Sequence, residues 1–212
     1  WDFYLLAKNG LFIDIIMLSA LGIAVYSLYK GVTTMWKGMT KELNVGEVAY
    51  RPSCIQFIKE FLWPSLVEIV KHKRFEECKE NYSRVRGHKP LMLAFIALFF
   101  VTCYSLFTQD VIGIFFPSMH GPISLWNPVK WLANVAAVAM IFGIFVLWMN
   151  RKKMEADGKA KPTFYDWFYI WIIAAVGVTG LGAELLRIIG IPSLGYIVYY
   201  LHLVSVAMLF LY

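Results

Sequence analysis

His202 lies inside the apolar run LGYIVYYLHLVSVAMLFLY, Leu194 to Tyr212, whose other ionisable groups are tyrosines. An imidazole at membrane depth is costly without a partner, so it marks a functional site by default. Iron in a porphyrin is the partner this residue type suggests: haem b takes neutral imidazole nitrogens as axial ligands and asks for apolar walls around its ring. His88 opens a second apolar run, and the two histidines together predict haem b held between membrane helices. At about 1.5 Å of rise per residue they differ in depth by roughly 15 Å or more, too far for a shared iron. The expectation is therefore one haem or two, each needing a further ligand. His120, in FFPSMHGPISLWNP, is the candidate near one face; His72, or a histidine past Tyr212, is the candidate near the other. Arg86 and Lys89, flanking His88, are the candidate propionate partners. Plainer roles compete: His202 bonding to a neighbouring helix, His88 an interfacial residue, His120 a loop residue, His72 one charge among several in KHKRF.

A second constellation gathers near the outer face: Asp110, Lys130, Glu184 and Arg187. Glu184 and Arg187 are three apart and share one side of a helix. Arg187 can simply snorkel to the boundary. Glu184 has a shorter reach and follows GVTGLG, a stretch that permits close helix approach. A carboxylate beside a cation suits a proton relay for quinol oxidation. Asp14, a few residues inside the first run, reads as snorkelling or paired with Lys8.

These residues need membrane helices to position them. The 212 residues are 59% hydrophobic, 17% aromatic and only 16% charged, with a mean hydropathy of +0.61. Soluble domains carry about 25% charged residues. Runs at about 11–29, 90–107, 128–149, 164–187 and 194–212 approach the roughly 20 apolar residues needed to cross the hydrocarbon core. The fold class expected is all-α: one integral membrane five-helix bundle over 1–212, with a long loop at about 30–88. Within that loop, Gln56 to Lys71 spaces Phe57, Phe61, Leu66 and Ile69 near helical periodicity, an amphipathic helix bent near Pro64. Cys54, Cys78 and Cys103 show no CxxC spacing, so neither a disulfide framework nor a zinc or iron–sulfur site follows.

The net charge of +6 informs through its placement. Of 20 Lys and Arg, 12 lie between Lys30 and Lys89 and 5 between Arg151 and Lys161. Both segments share a face if all five runs span, and a basic excess marks the cytoplasmic side. That places residue 1 outside and Tyr212 in the cytoplasm, in a cytoplasmic (inner) membrane. Headgroups explain the charge, and nucleic acid is not an expected partner. The sequence opens on Trp1 and ends inside a run, which reads as a piece of a longer chain.

HKRFEEC…NYSRVRGH with KPLMLAFIALFFVT resembles the second helix of membrane cytochrome b subunits of the nitrate reductase gamma and heterodisulfide reductase superfamily. LWNPVKWLANVAA, GVTGLGAELLR and YYLHLVSVAMLFLY are similar to its third, fourth and fifth helices, and the membrane subunits of quinone-interacting membrane-bound oxidoreductases are the most similar group. The resemblance implies a five-helix haem b protein with His88 and His202 at axial-ligand positions. It implies electron transfer between menaquinone and a cytoplasmic iron–sulfur/flavin partner of heterodisulfide-reductase type, in dissimilatory sulfur metabolism. Where that pattern has two histidines on the second helix, this chain has His88 and then Leu98. Two rivals remain open from the residues alone: a haem-free transporter lined by Lys130, Glu184 and Arg187, and a structural anchor that fastens a soluble enzyme to the bilayer.

Overall fold

A hydrocarbon solvent offers no hydrogen bonds, so every peptide group in a spanning segment must bond within that segment or within a closed barrel. The chain takes the first solution. The computed structural model describes residues 3–41, 52–71, 82–116 and 123–212, and among them there is no strand. His72 and His120 lie outside the described residues, as does the Asp110 side chain.

We number the helices α1 (Phe3–Thr40), α2 (Cys54–Phe57, continuing through π-helical Ile58–Leu62 into Trp63–Lys71), α3 (Tyr82–Leu106, continuing through π-helical Phe107–Ile112 into Gly113–Phe115), α4 (Pro128–Ala156), α5 (Phe164–Ile189) and α6 (Pro192–Leu211). All but α2 contain a segment long and apolar enough to cross a membrane. The protein is an all-α, multi-pass membrane bundle.

The helices outrun the apolar runs. α1 continues eleven residues past position 29 because Val32, Met35, Trp36 and Met39 keep the pattern going; at 38 residues it is about 57 Å long, nearly twice the hydrocarbon thickness. α3 begins at Tyr82, so His88 stands almost two turns inside a helix rather than at its start. The expected loop at about 30–88 is correspondingly shorter. The apolar count missed these turns because charged residues at a boundary interrupt hydrophobicity without interrupting helix.

Local chemistry sets the ends. The Asn127 side chain accepts from the Val129 amide, and Pro128 occupies the first helical position, where its missing N–H costs nothing. Gly190, at φ +81°, ends α5: its N–H bonds to the Arg187 carbonyl, and that of Ile191 to Leu186, a Schellman closure that glycine makes without strain. Pro192 then starts α6. In α2 the π-turn leads straight into Pro64, with Trp63 N–H bonding back to Ile58; the wider turn accommodates a residue that cannot donate.

The principal packing follows chain order: α3 on α4, α4 on α5, α5 on α6, α6 on α1. Leu91, Ala94, Ala136, Met140, Ile144, Ile170, Ile173 and Val176 form the core along α3, α4 and α5. Glycines permit the close contacts. A Cβ on Gly143 would stand 2.7 Å from the Gly87 carbonyl oxygen and 2.9 Å from Leu91 Cβ, so α3 and α4 meet there backbone to backbone. Elsewhere the large apolar side chains of α1, α3 and α6 face outward, as lipid permits.

Candidate functional site

α5 carries, in order along its length, three places where the candidate residues meet it. Near its C-terminal end, Glu184 Oε2 receives Lys130 Nζ at 2.7 Å from α4, and Arg187 Nη1 stands 3.6 Å from the same oxygen. The Lys130 and Glu184 side chains are 17% and 12% exposed. Arg187 also donates to the Ile123 carbonyl at 3.5 Å, which ties it to the segment before α4 as well as to the carboxylate. Glu184 Oε1 is buried without a hydrogen-bond partner among the described residues. Three of the four residues expected here converge; the fourth, Asp110, has its side chain outside the described residues.

About one and a half turns further along α5, His202 of α6 lies against Val176, Thr179 and Gly180. Its Nδ1 is 3.1 Å from the Val176 carbonyl oxygen and 3.2 Å from Thr179 Oγ1. A carbonyl can only accept, and the Thr179 hydroxyl spends its own proton on the Ala175 carbonyl. Nδ1 must therefore carry the hydrogen, which leaves the lone pair of the neutral ring on Nε2. Nε2 has no polar partner among the described residues. Gly180 makes room for the ring: a Cβ there would lie 3.0 Å from Cε1 and 3.3 Å from Nδ1.

His88 lies near the start of α5. It lines an open cleft of about 380 Å³ between α3, α4 and α5, with Arg84, Asn150, Arg151, Asp166 and Tyr169. Arg84, one turn before His88 on the same side of α3, points its Nη2 at Met154 Sδ, 2.8 Å away. Arg151 is held by carboxylates at 2.9 Å (Glu155) and 2.7 Å (Asp166) and also donates to the Lys161 carbonyl. Glu155 in turn accepts from Trp167 Nε1 at 2.9 Å, so Arg151 ties α4 to the start of α5. The cations that share the cleft with His88 are thus Arg84 and Arg151. Arg86 and Lys89, expected beside His88, do not line it because positions two before and one after project from other sides of the helix.

His88 and His202 sit on α3 and α6, with α4 and α5 packed between. Their levels on α5, near Tyr169 and near Thr179, differ by ten residues, or about 15 Å. That is too far for both rings to bind one metal ion. Among the described residues no three His, Cys, Asp or Glu side chains converge as a metal site; a porphyrin, which supplies four ligands itself, requires only one or two imidazoles.

Sequence reasoning missed Thr179 and the Val176 carbonyl as partners of His202, and Arg151 in the cleft; Arg84, which precedes His88 in the same basic stretch, shares its side of α3 by i, i+4 spacing. Nothing local in sequence announces a carbonyl acceptor on another helix. In comparisons with known proteins, no family model, curated protein or solved structure matches the chain.

Proposed function

We propose that the protein is a membrane cytochrome b that carries electrons between a quinol and a partner at the opposite membrane face. The observation that supports this most is His202: a ring in the interior of a membrane helix, its Nδ1–H committed to a carbonyl and its Nε2 lone pair without a polar partner among the described residues. That is how metal-ligating imidazoles are held, since the bond at one nitrogen orients the ring and sets the tautomer. Haem b, when bound, would supply reversible one-electron storage. His88, in its cleft near the other boundary, is the candidate ligand for a second haem, and about 15 Å of depth between them suits transfer across the bilayer.

The remaining residues divide the work. Val176 and Thr179 hold His202 in the ligating tautomer. Glu184 lies about one and a half turns beyond Thr179, and its Oε1 is the oxygen that Lys130 leaves unengaged, so a quinol hydroxyl could pass its proton there. Lys130 and Arg187 orient the carboxylate. Menaquinone as the quinone, a cytoplasmic iron–sulfur/flavin partner, a role in sulfur metabolism, and the orientation with Tyr212 toward the cytoplasm belong to this proposal. They are supported by the basic loops and the sequence resemblance.

The test is a reduced-minus-oxidised difference spectrum of the purified protein, with a soluble menaquinol analogue as reductant. A b-type α-band that grows with the analogue is expected. A flat spectrum overturns the proposal in favour of a haem-free transporter. Quinol-linked electron transfer that survives intact in His202→Ala would instead favour a structural anchor.

A further inference from the structure

α4 and α5 enclose a second, wholly apolar groove of about 280 Å³, lined by Ile141, Ile144, Phe145, Trp148, Trp171 and Ala174. Positions 141, 145, 148 and 152 repeat at helical spacing, so Lys152 continues the same stripe of α4 one turn past Trp148. Its ammonium stands 4.5 Å from the Trp148 ring centroid, and Phe145 stacks on Trp148 with centroids 5.9 Å apart. Lys152 makes no ion pair with any described carboxylate; Glu155 and Asp166 are held by Arg151. A cation thus stands against the ring of Trp148, one turn beyond that end of a groove whose own lining is apolar.

We propose that this groove binds one anionic phospholipid, its acyl chain lying between α4 and α5 and its phosphate at Lys152 Nζ. From Ile141 to Lys152 is about 16 Å along the helix, half of the roughly 30 Å hydrocarbon core and so the depth of one leaflet. A cation resting on an aromatic face keeps its N–H donors for a phosphate oxygen. The occupant is not another helix. Intramembrane helix pairs approach over small residues, whereas Phe145 and Trp171 stand 56% and 60% exposed at this rim. A quinone fits less well: the groove itself presents no polar surface, and a cation beside its end attracts an anionic phosphate more strongly than a neutral carbonyl. The proposal stands independently of the haem reading.

The test is native mass spectrometry of the delipidated protein, titrated with an equimolar mixture of phosphatidylglycerol and phosphatidylcholine of matched chains. Wild type is expected to retain phosphatidylglycerol preferentially. Lys152→Gln should lower that preference about fivefold, the equivalent of about 1 kcal/mol for one basic residue at an anionic surface. Lys153→Gln, on another side of α4, should leave it unchanged, and Ala174→Trp, which fills the groove, should reduce retention of both lipids. Equal preference in Lys152→Gln and Lys153→Gln overturns the proposal, as does full retention in Ala174→Trp. Displacement of the lipid by glycerol phosphate would reassign the site to a free phosphate, and displacement by a menaquinone analogue would reassign it to a quinone.

Discussion

Lys130 and Glu184 offer the most quantitative perturbation. Their 2.7 Å contact is nearly removed from solvent, so its Coulomb attraction at an effective dielectric near 20 is about 4 kcal/mol or somewhat more. Desolvation of both groups cancels much of that, and the informative quantity is what happens when one partner goes. Lys130→Met leaves a buried carboxylate with Arg187 alone, 3.6 Å away. Breaking a buried pair costs about 3–5 kcal/mol; with Arg187 still in place, about 2–3 kcal/mol is expected. Glu184→Leu leaves two cations near the boundary, where long side chains can reach water, and should cost about 1 kcal/mol. The double variant removes both charges and should cost no more than about 1–2 kcal/mol, giving a coupling of about 2 kcal/mol. Reversible unfolding in mixed micelles, followed by circular dichroism through the full cycle, measures it. Additive costs, with coupling under about 0.5 kcal/mol, would refute the claim that this pair is a buried unit and with it the oriented carboxylate on which the relay depends.

Four further outcomes follow, three from the space around glycines and one from an ion-paired arginine. Gly143→Ala puts a methyl 2.7 Å from the Gly87 carbonyl oxygen, where backbone must yield; unfolding in micelles should show a loss of about 1–3 kcal/mol. Gly22→Ala, with open space around it, should be neutral or slightly stabilising in the same assay. Gly180→Ala pushes a methyl against the His202 ring, so the α-band or midpoint potential of the proposed haem should shift while helix content is retained; an unchanged spectrum would separate His202 from the chromophore. Arg151→Gln loses contacts to Glu155 and Asp166, and because Asp166 is 50% exposed the cost should be modest, about 1 kcal/mol. It should show mainly as faster proteolysis in the 157–163 connection between α4 and α5.

The all-α membrane class and the five crossings were legible because hydrocarbon imposes a length and a polarity that composition alone reveals. Helix ends were less so. α1 runs on to Thr40 and α3 starts at Tyr82 because helical propensity does not stop where apolarity does. GVTGLG was readable as a place of close approach: Gly177 meets Ile141 of α4, while Gly180 meets His202 of α6. Lys130, Glu184 and Arg187 could be placed at one level by counting turns from a shared boundary. The His202 hydrogen bonds could not, since they depend on how α5 and α6 are rotated. Arg86 and Lys89 were chosen by adjacency in sequence to His88; that the cleft is lined from the side of α3 that carries Arg84 and His88 depends on how α3 is rotated against α4 and α5.

The central claim is that the Nε2 lone pair of His202 holds iron. Pyridine-haemochrome quantitation of purified wild type and His202→Ala, normalised to protein, tests it directly. The account predicts stoichiometric haem b in wild type and the loss of at least one haem per chain in His202→Ala, with helix content kept. Wild type without haem, or a variant with the same haem content as wild type, would contradict it.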